Sequence, residues 1–287
     1  MNAGSPSQAR EVCGKPHIGL TAHVVQGNEL RIARIALDRS ALIFVDRGVK
    51  TVVAGNGEKF VAAPGQALVL RGDQSVDFIN AIAPGGTYEA RWLLFDNALL
   101  LDEGYRRDCA ALRRTTRRRA PARVIRKSGA AFQAAFEAAR EVLSPDGGVP
   151  DAIARLRVLE VLYWLFEHGI ALEPQAAQSG IAAQIRNLVS GEVEAEWPSA
   201  FVSERLAMSQ ATLRRRLSAE GTSLTEVIAD VRMAAALTML QATTRPVADI
   251  ALAVGYESPS RFSVRFRKRF GFSPSVVRSG SRAHQSL

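Results

Sequence analysis

Cysteine and histidine are scarce in this chain, and their scarcity removes several kinds of chemistry at once. Cys13 and Cys109 are the only cysteines and lie far apart, which leaves no disulfide framework and no zinc-finger spacing. They fit two ordinary thiols in a reducing compartment. The four histidines, His17, His23, His168 and His284, are scattered and form no cluster with a glutamate, so no metal and no cofactor is expected. Catalytic groupings are missing as well: there is no Ser/His/Asp set and no phosphate-cradling glycine loop between a strand and a helix. The opening stretch, MNAGSPSQAREVCGKP, has no apolar run of the kind an export signal needs. The most apolar helical segment, residues 158–166, is interrupted by Glu160 and is too short to span a bilayer. These absences predict a cytoplasmic protein that is not an enzyme and has no membrane contact.

What the chain does carry is positive charge, unevenly placed. Lys and Arg total 37 against 28 Asp and Glu, for a net charge of +9. Residues 197–287 hold 13 of the cations and only 6 of the acids, so the excess sits at the C-terminal end, as a nucleic-acid footprint would. A second basic run, residues 106–127, contains ten Lys/Arg and one acid. It reads either as a solvated face paired to nearby carboxylates or as a further phosphate contact, with the first favoured.

Residues 18 to about 95 break into short apolar runs, among them LRIARIAL at 30–37, ALIFV at 41–45 and VDFINAI at 76–82. Gly48, Asn56-Gly57, Pro64-Gly65, Gly72-Asp73 and Pro84-Gly85-Gly86 punctuate them at intervals typical of sandwiches and barrels. Helical periodicity follows. Phe132, Phe136, Ala139 and Leu143 share one side of a helix, and Ile153, Leu156, Leu159, Leu162, Tyr163 and Phe166 form a wide stripe on another. That stripe suits either a homodimer interface or packing against the strands. The expected fold is α+β in two domains: an N-terminal barrel or jelly roll with trailing helices over 1–171, a linker at 172–180, and an all-α domain over 181–287.

The last hundred residues contain two similar units. In the first, residues 201–207 form a short helix, Met208 a turn, Ser209 caps a second helix to about Ala219, and Gly221 stops it. Leu206, Leu213 and Leu217 face inward, which leaves Gln210, Ala211, Arg214 and Arg215 outside. In the second, residues 247–254 are followed by a Gly255-Tyr256 turn and a helix that opens at Ser258-Pro259 and runs to Phe270. Phe262, Phe266 and Phe270 recur every four residues and define its inner face. Arg261, Arg265, Arg267, Lys268 and Arg269 crowd the remaining faces. A short helix, a tight turn and an exposed cationic helix make a helix-turn-helix, whose second helix enters the major groove. Between the units, Ser223 and Glu226 form a capping box for a helix to about Leu240, buried through Val227, Val231, Leu237 and Leu240. At ~27 Å it is a strut that could hold two reading helices about one DNA turn, ~34 Å, apart.

At these residues the chain resembles the AraC/XylS family of bacterial transcription regulators. The resemblance covers about 100 residues, 181–278, and rests on Ile250-Ala251, Gly255-Tyr256, Phe262, Phe266-Arg267, Gly271, Ser273-Pro274 and Arg278. Leu206-Ala207-Met208-Ser209, Leu213-Arg214-Arg215 and Leu217 agree more loosely in the first unit. It implies promoter DNA as partner, RNA polymerase as a second one, and a cupin-like N-terminal domain that answers to a small effector, self-associates as a homodimer, or docks a protein. Base reading falls to Gln210, Ala211, Arg214 and Arg215 in unit one and to Ser260, Arg261 and Ser263 in unit two. Phosphate contacts fall to Ser209, Ser258, Arg265, Arg267 and Lys268. Dimer contacts fall to Ile153, Leu156, Leu159, Leu162 and Phe166. The rival readings are a barrel enzyme with a DNA-binding tail, for which no catalytic cluster exists, and an architectural protein that bends DNA with little sequence preference.

Overall fold

Alternation sorts the first hundred residues into layers. The computed structural model describes residues 12–84, 86–113, 120–144, 148–174 and 180–279. Among them the strands are β1 (Cys13–Lys15), β2 (Gly19–Gln26), β3 (Leu30–Leu37), β4 (Ser40–Arg47) and β5 (Val49–Ala54), then β6 (Lys59–Ala62), β7 (Ala67–Leu70), β8 (Gln74–Ala81), β9 (Tyr88–Phe95) and β10 (Ala122–Ile125). They form two antiparallel sheets, ordered β1-β2-β9-β4-β7-β10 and β3-β8-β5-β6. Strand β4 shows how the layers arise. Ala41, Ile43 and Val45 point into a core shared with Val52 and Val76 of the smaller sheet. Leu42 and Phe44, on the opposite face, pack with helices instead. With both faces covered, the strand reads as an unbroken apolar run rather than an alternating one.

The outer cover consists of α1 (Asn97–Leu100), α2 (Glu103–Arg113), α3 (Ala130–Glu141) and α4 (Asp151–Glu167). Phe132 and Phe136 of α3 meet Phe44 with ring centroids 5.7 and 4.5 Å apart. On α4 the buried face is Ala154, Val158, Val161, Leu162 and Leu165, with Leu159 beside it. This corrects the stripe expected from periodicity. Leu159 and Leu162 are core residues and Phe166 packs against the same core, so they offer nothing to a second copy. Ile153 and Leu156 remain outside, 47% and 61% exposed. The helix is apolar on almost every side, and it packs on α3 and α2, with Trp164 stacked on Phe132 and Phe166 on Tyr105.

The expected linker also begins later than its composition suggests. Leu172 is buried, and the Tyr105 hydroxyl both donates to its carbonyl (2.9 Å) and accepts from its N–H (3.0 Å). Residues 175–179 lie outside the described residues.

The rest of the described chain is helical: α5 (Ile181–Val189), α6 (Ser199–Arg205), α7 (Gln210–Ala219), α8 (Leu224–Ala242), α9 (Val247–Ala253), α10 (Pro259–Phe270) and α11 (Pro274–Ser279). One apolar cluster joins α5, α6, α7 and the start of α8. A second joins the end of α8 to α9, α10 and α11, and takes in Leu30 and Ile32 of β3. No helix among the described residues is long and apolar enough to cross a membrane. Replacing Tyr105 by Phe should leave the Leu172 N–H without a buried partner and its carbonyl with only the Cys109 thiol at 3.7 Å, at about 1–3 kcal/mol. Urea unfolding of Tyr105→Phe is expected to show a lower midpoint with an unchanged slope.

Candidate nucleic-acid interface and a buried cavity

The two helix-turn-helix units are built alike to the level of single hydrogen bonds. In the first, Ala207 takes a left-handed φ of 51° and Met208 N–H bonds back to the Ser203 carbonyl at 2.9 Å. In the second, Gly255 takes φ 77° and Tyr256 N–H bonds to the Ala251 carbonyl at 2.9 Å. Ser209 then caps α7 by accepting from Thr212 N–H (3.2 Å), and Ser258 caps α10 by accepting from Arg261 N–H (3.4 Å). Leu213 and Leu217 anchor α7, and Phe262, Phe266 and Phe270 anchor α10. Gly271, at φ 83°, closes α10 in the left-handed conformation that favours glycine.

These anchors decide what faces out. On α7, Gln210, Ala211, Arg214 and Arg215 are exposed, as is the capping Ser209. On α10, Ser260, Arg261, Arg267 and Lys268 are exposed, whereas Ser258, Ser263 and Arg265 are half-buried. Counting from the two capping serines aligns Arg215 with Val264. Val264 is 72% exposed, the most exposed large apolar side chain among the described residues. Sequence reading passed over it because apolar residues were assigned to the core, although the serine-to-serine count was available.

Two arginines serve the scaffold instead. Arg232 of α8 donates to the carbonyls of Val193 (3.1 Å), Ala195 (2.9 Å) and Gly255 (3.0 Å), tying both units to the helix between them. Arg269, counted above with the outward cations, pairs with Asp230 at 2.8 Å and donates to the carbonyls of Ala33 (3.0 Å) and Arg34 (2.6 Å). Those carbonyls are turned outward by a bulge in β3 between Ile32 and Ile35, where Arg34 takes φ 52°. The basic run at 106–127 is described only in part, since 114–119 lie outside the described residues. Within it, Arg123 is spent on the Gly169 carbonyl at 3.1 Å.

A cavity of about 390 Å³ lies between the two sheets and is walled on one side by α8. Ile43, Ile32, Trp92 and Leu94 contribute strand walls, and Ala234 and Leu237 the helical one. Its one lysine is Lys50, buried, with Nζ 2.9 Å from Asn80 Oδ1 and 4.1 Å from the Phe78 ring centroid. Burial drives the Lys50 ammonium down from 10.5 to about 7. The cavity was not legible beforehand, because its walls come from strands far apart in sequence and a helix near the other end.

A helix, a tight turn and a second exposed helix, made twice around one central helix, define a tandem helix-turn-helix domain. Residues 202–280 match the family model described as a helix-turn-helix domain. It is 30% identical over 91 residues to the transcriptional regulator SirC of Salmonella typhimurium, covering 32% of this chain and 31% of that protein. It is 28% identical over 99 residues to the virulence regulon transcriptional activator VirF of Shigella flexneri, covering 34% and 38%. The chain thus spans about a third of the length of these curated relatives. A solved structure of ToxT from Vibrio cholerae shares the fold across 90% of this chain and 97% of its own, at a TM-score of 0.59 and 13% identity. A second ToxT structure, with an unsaturated fatty acid bound, matches at a TM-score of 0.55 and 13% identity over 91% of this chain and 95% of its own.

Gly255 is required twice over, by its φ and by the Arg232 guanidinium, which a Cβ would meet at 2.6 Å. Gly255→Ala should therefore destabilise the chain by about 1–3 kcal/mol. The expected readout is a lower thermal midpoint, with Gly57→Ala, also at positive φ but with nothing within 4 Å, less affected.

Proposed function

We propose that the chain is a sequence-specific DNA-binding transcription regulator that reads one duplex with α7 and α10. The observation that carries this is the pair of equivalent helices, each anchored by apolar side chains and each presenting cations and small polar groups outward from one central strut. Helix α8 has 19 residues and is ~28 Å long, near the ~34 Å of one DNA turn. Arg214 and Arg215 suit guanine, whose O6 and N7 accept a bidentate guanidinium. Val264, at the position equivalent to Arg215, suits the methyl group of thymine. Gln210, Ala211, Ser260, Arg261 and Ser263 complete the base-facing set. Arg267, Lys268 and Arg265 with the capped helix starts at Ser209 and Ser258 suit phosphates. We assign activation as its sign, as in the description of VirF.

Selection from a random duplex pool tests the reading. Wild type should enrich a defined site, an outcome that an architectural protein would not give. Arg214→Ala should relax one G·C position at about 1–3 kcal/mol, and Val264→Ser should relax one thymine position. Replacing that thymine by deoxyuridine should then weaken wild type and leave Val264→Ser unchanged. Failure to enrich any site with either protein would remove the DNA-reading function.

The N-terminal half acts, in this reading, as a receptor for a small apolar acid. The apolar cavity and its buried Lys50 support it, and the fatty acid held by ToxT, a protein of the same fold, agrees with that chemistry. The exposed Ile153 and Leu156 are left as the contact for a second copy of the chain.

The Lys50 reading has a signed pH dependence. The acid must meet the ammonium form, which predominates below about pH 7 in the empty cavity. Decanoate in water is ionised throughout pH 6–9, and Asp38, the carboxylate in the lining, is paired with Arg186, so the titration expected in this range is that of Lys50. The decanoate Kd should be flat below pH 7 and weaken by up to ~10-fold per pH unit above it. Lys50→Met should bind weakly with a flat profile. An equal pH slope in wild type and variant would exclude Lys50 as the anchor.

A further inference from the structure

The buried polar groups beside the cavity form one line that crosses from the sheets to the DNA-reading half. Lys50 Nζ donates to Asn80 Oδ1 at 2.9 Å, and Asn80 Nδ2 donates to Gln26 Oε1 at 3.2 Å. Gln241, on α8, donates its Nε2 to the same Gln26 oxygen at 2.9 Å. Gln26 Nε2 in turn donates to the Asn28 carbonyl at 2.5 Å, and Asn28 Nδ2 donates to the Val276 carbonyl of α11 at 2.8 Å. Lys50, Asn80 and Gln26 are all buried. An apolar set of the same shape would fill this space without the cost of desolvating four polar side chains. The arrangement is therefore expensive, and it links the cavity's cation to two helices of the other half.

We propose that Asn80, Gln26 and Gln241 are positioning residues that carry the occupancy of Lys50 by an acid to α8, and through α8 to both reading helices. The inference rests on the effector reading above and adds the route of control. Gln26 Oε1 accepts two donors, one from each half, so the strength and direction of one bond are felt by the other. An ammonium has three protons and no acceptor capacity. With a carboxylate on Lys50, the lysine is held in its charged form, and its bond to Asn80 becomes charge-assisted and directionally fixed. Asn80 is then oriented differently toward Gln26, and Gln241 shares the consequence. Helix α8 bears Arg232, which holds the loop before α6 and the turn before α10, so a small shift at Gln241 reaches both units.

The test measures coupling in the full chain between decanoate and a duplex selected by wild type. Saturating decanoate should change the wild-type DNA Kd at least ~5-fold, the low end of ordinary allosteric coupling, and saturating DNA should change the decanoate Kd by the same factor. Gln241 also lines the cavity, so the readout is the coupling and not the affinity: Gln241→Leu, similar in size but unable to donate, should still bind decanoate, at a shifted Kd, and reduce the coupling below ~2-fold. Gln241→Glu, which puts an acceptor where the donor stood, should do the same, and thermal unfolding verifies that both variants fold. Coupling retained in both variants would overturn the relay while leaving the effector reading in place. Complete loss of decanoate binding in both variants would overturn it too, because Gln241 would then anchor the acid itself rather than relay its presence. Absence of decanoate binding in wild type would sink the effector reading, and the relay with it.

Discussion

Helix α8 has no free side along most of its length, and the rest of the molecule is arranged around that fact. Val227 and Val231 bury in the first unit, and Met233, Ala236, Leu237 and Leu240 in the second. Ala234 and Ala235 wall the cavity between the sheets on one side. A helix that is apolar on every side must be covered on every side. The cover here is contributed by three bodies, so α8 serves as strut for α7 and α10 and as wall for the cavity at once. Leu30 and Ile32 of β3 share a core with α9 and α10, and the two halves therefore meet through packed side chains, which do not deform continuously.

Arginine does more internal work than net charge suggests. Arg232 satisfies three carbonyls, Arg269 satisfies two and an aspartate, and Arg71 donates to the carbonyls of Ala120 (3.2 Å) and Ala171 (2.7 Å). Arg186 pairs with Asp38 at 2.9 Å across the same junction that Arg269 bridges. A planar guanidinium with five donors can hold several loop carbonyls in place, which a lysine cannot. Two of the thirteen cations in residues 197–287 are thus structural. The charge excess of the tail still marks the half that carries the two helix-turn-helix units, but it overstates how many of those charges are available to an outside partner.

Legibility follows the range of the interaction that decides each feature. The serine caps, the Phe262–Phe266–Phe270 face and the Gly271 stop are written within a few residues of one another, and each can be read from spacing alone. The direction of α4 cannot, because Ile153 and Leu156 have the same apolar character as Val158 and Leu162; the helices α3 and α2 opposite choose between them. Alternation in β3 fails at Ala33-Arg34, where the bulge that greets Arg269 is set by a partner more than two hundred residues away. The cavity belongs wholly to this second category. Lys50 sits in a strand that reads as ordinary alternation, KTVVAG, and only the assembled sheets show that its outward neighbour is not water.

Burying Lys50 has a cost whose sign can be stated. Its pKa is about 7 in the folded chain and near 10.5 when the chain is unfolded. Below pH 7 both states carry the proton, and the full penalty of holding a charge out of water is present. Between about pH 7 and 10.5 the unfolded state binds the extra proton, so stability rises with pH and the penalty is relieved. A carboxylate in the cavity would reverse that balance by pairing the ammonium where it is least solvated. The penalty present at neutral pH is one that a carboxylate beside Lys50 would relieve. The fold alone gains little from a buried cation whose partners are one neutral amide and the Phe78 and Tyr88 rings, whereas a site that took an acid would gain selectivity from it, since uncharged apolar molecules of the same size leave the ammonium without a counter-charge.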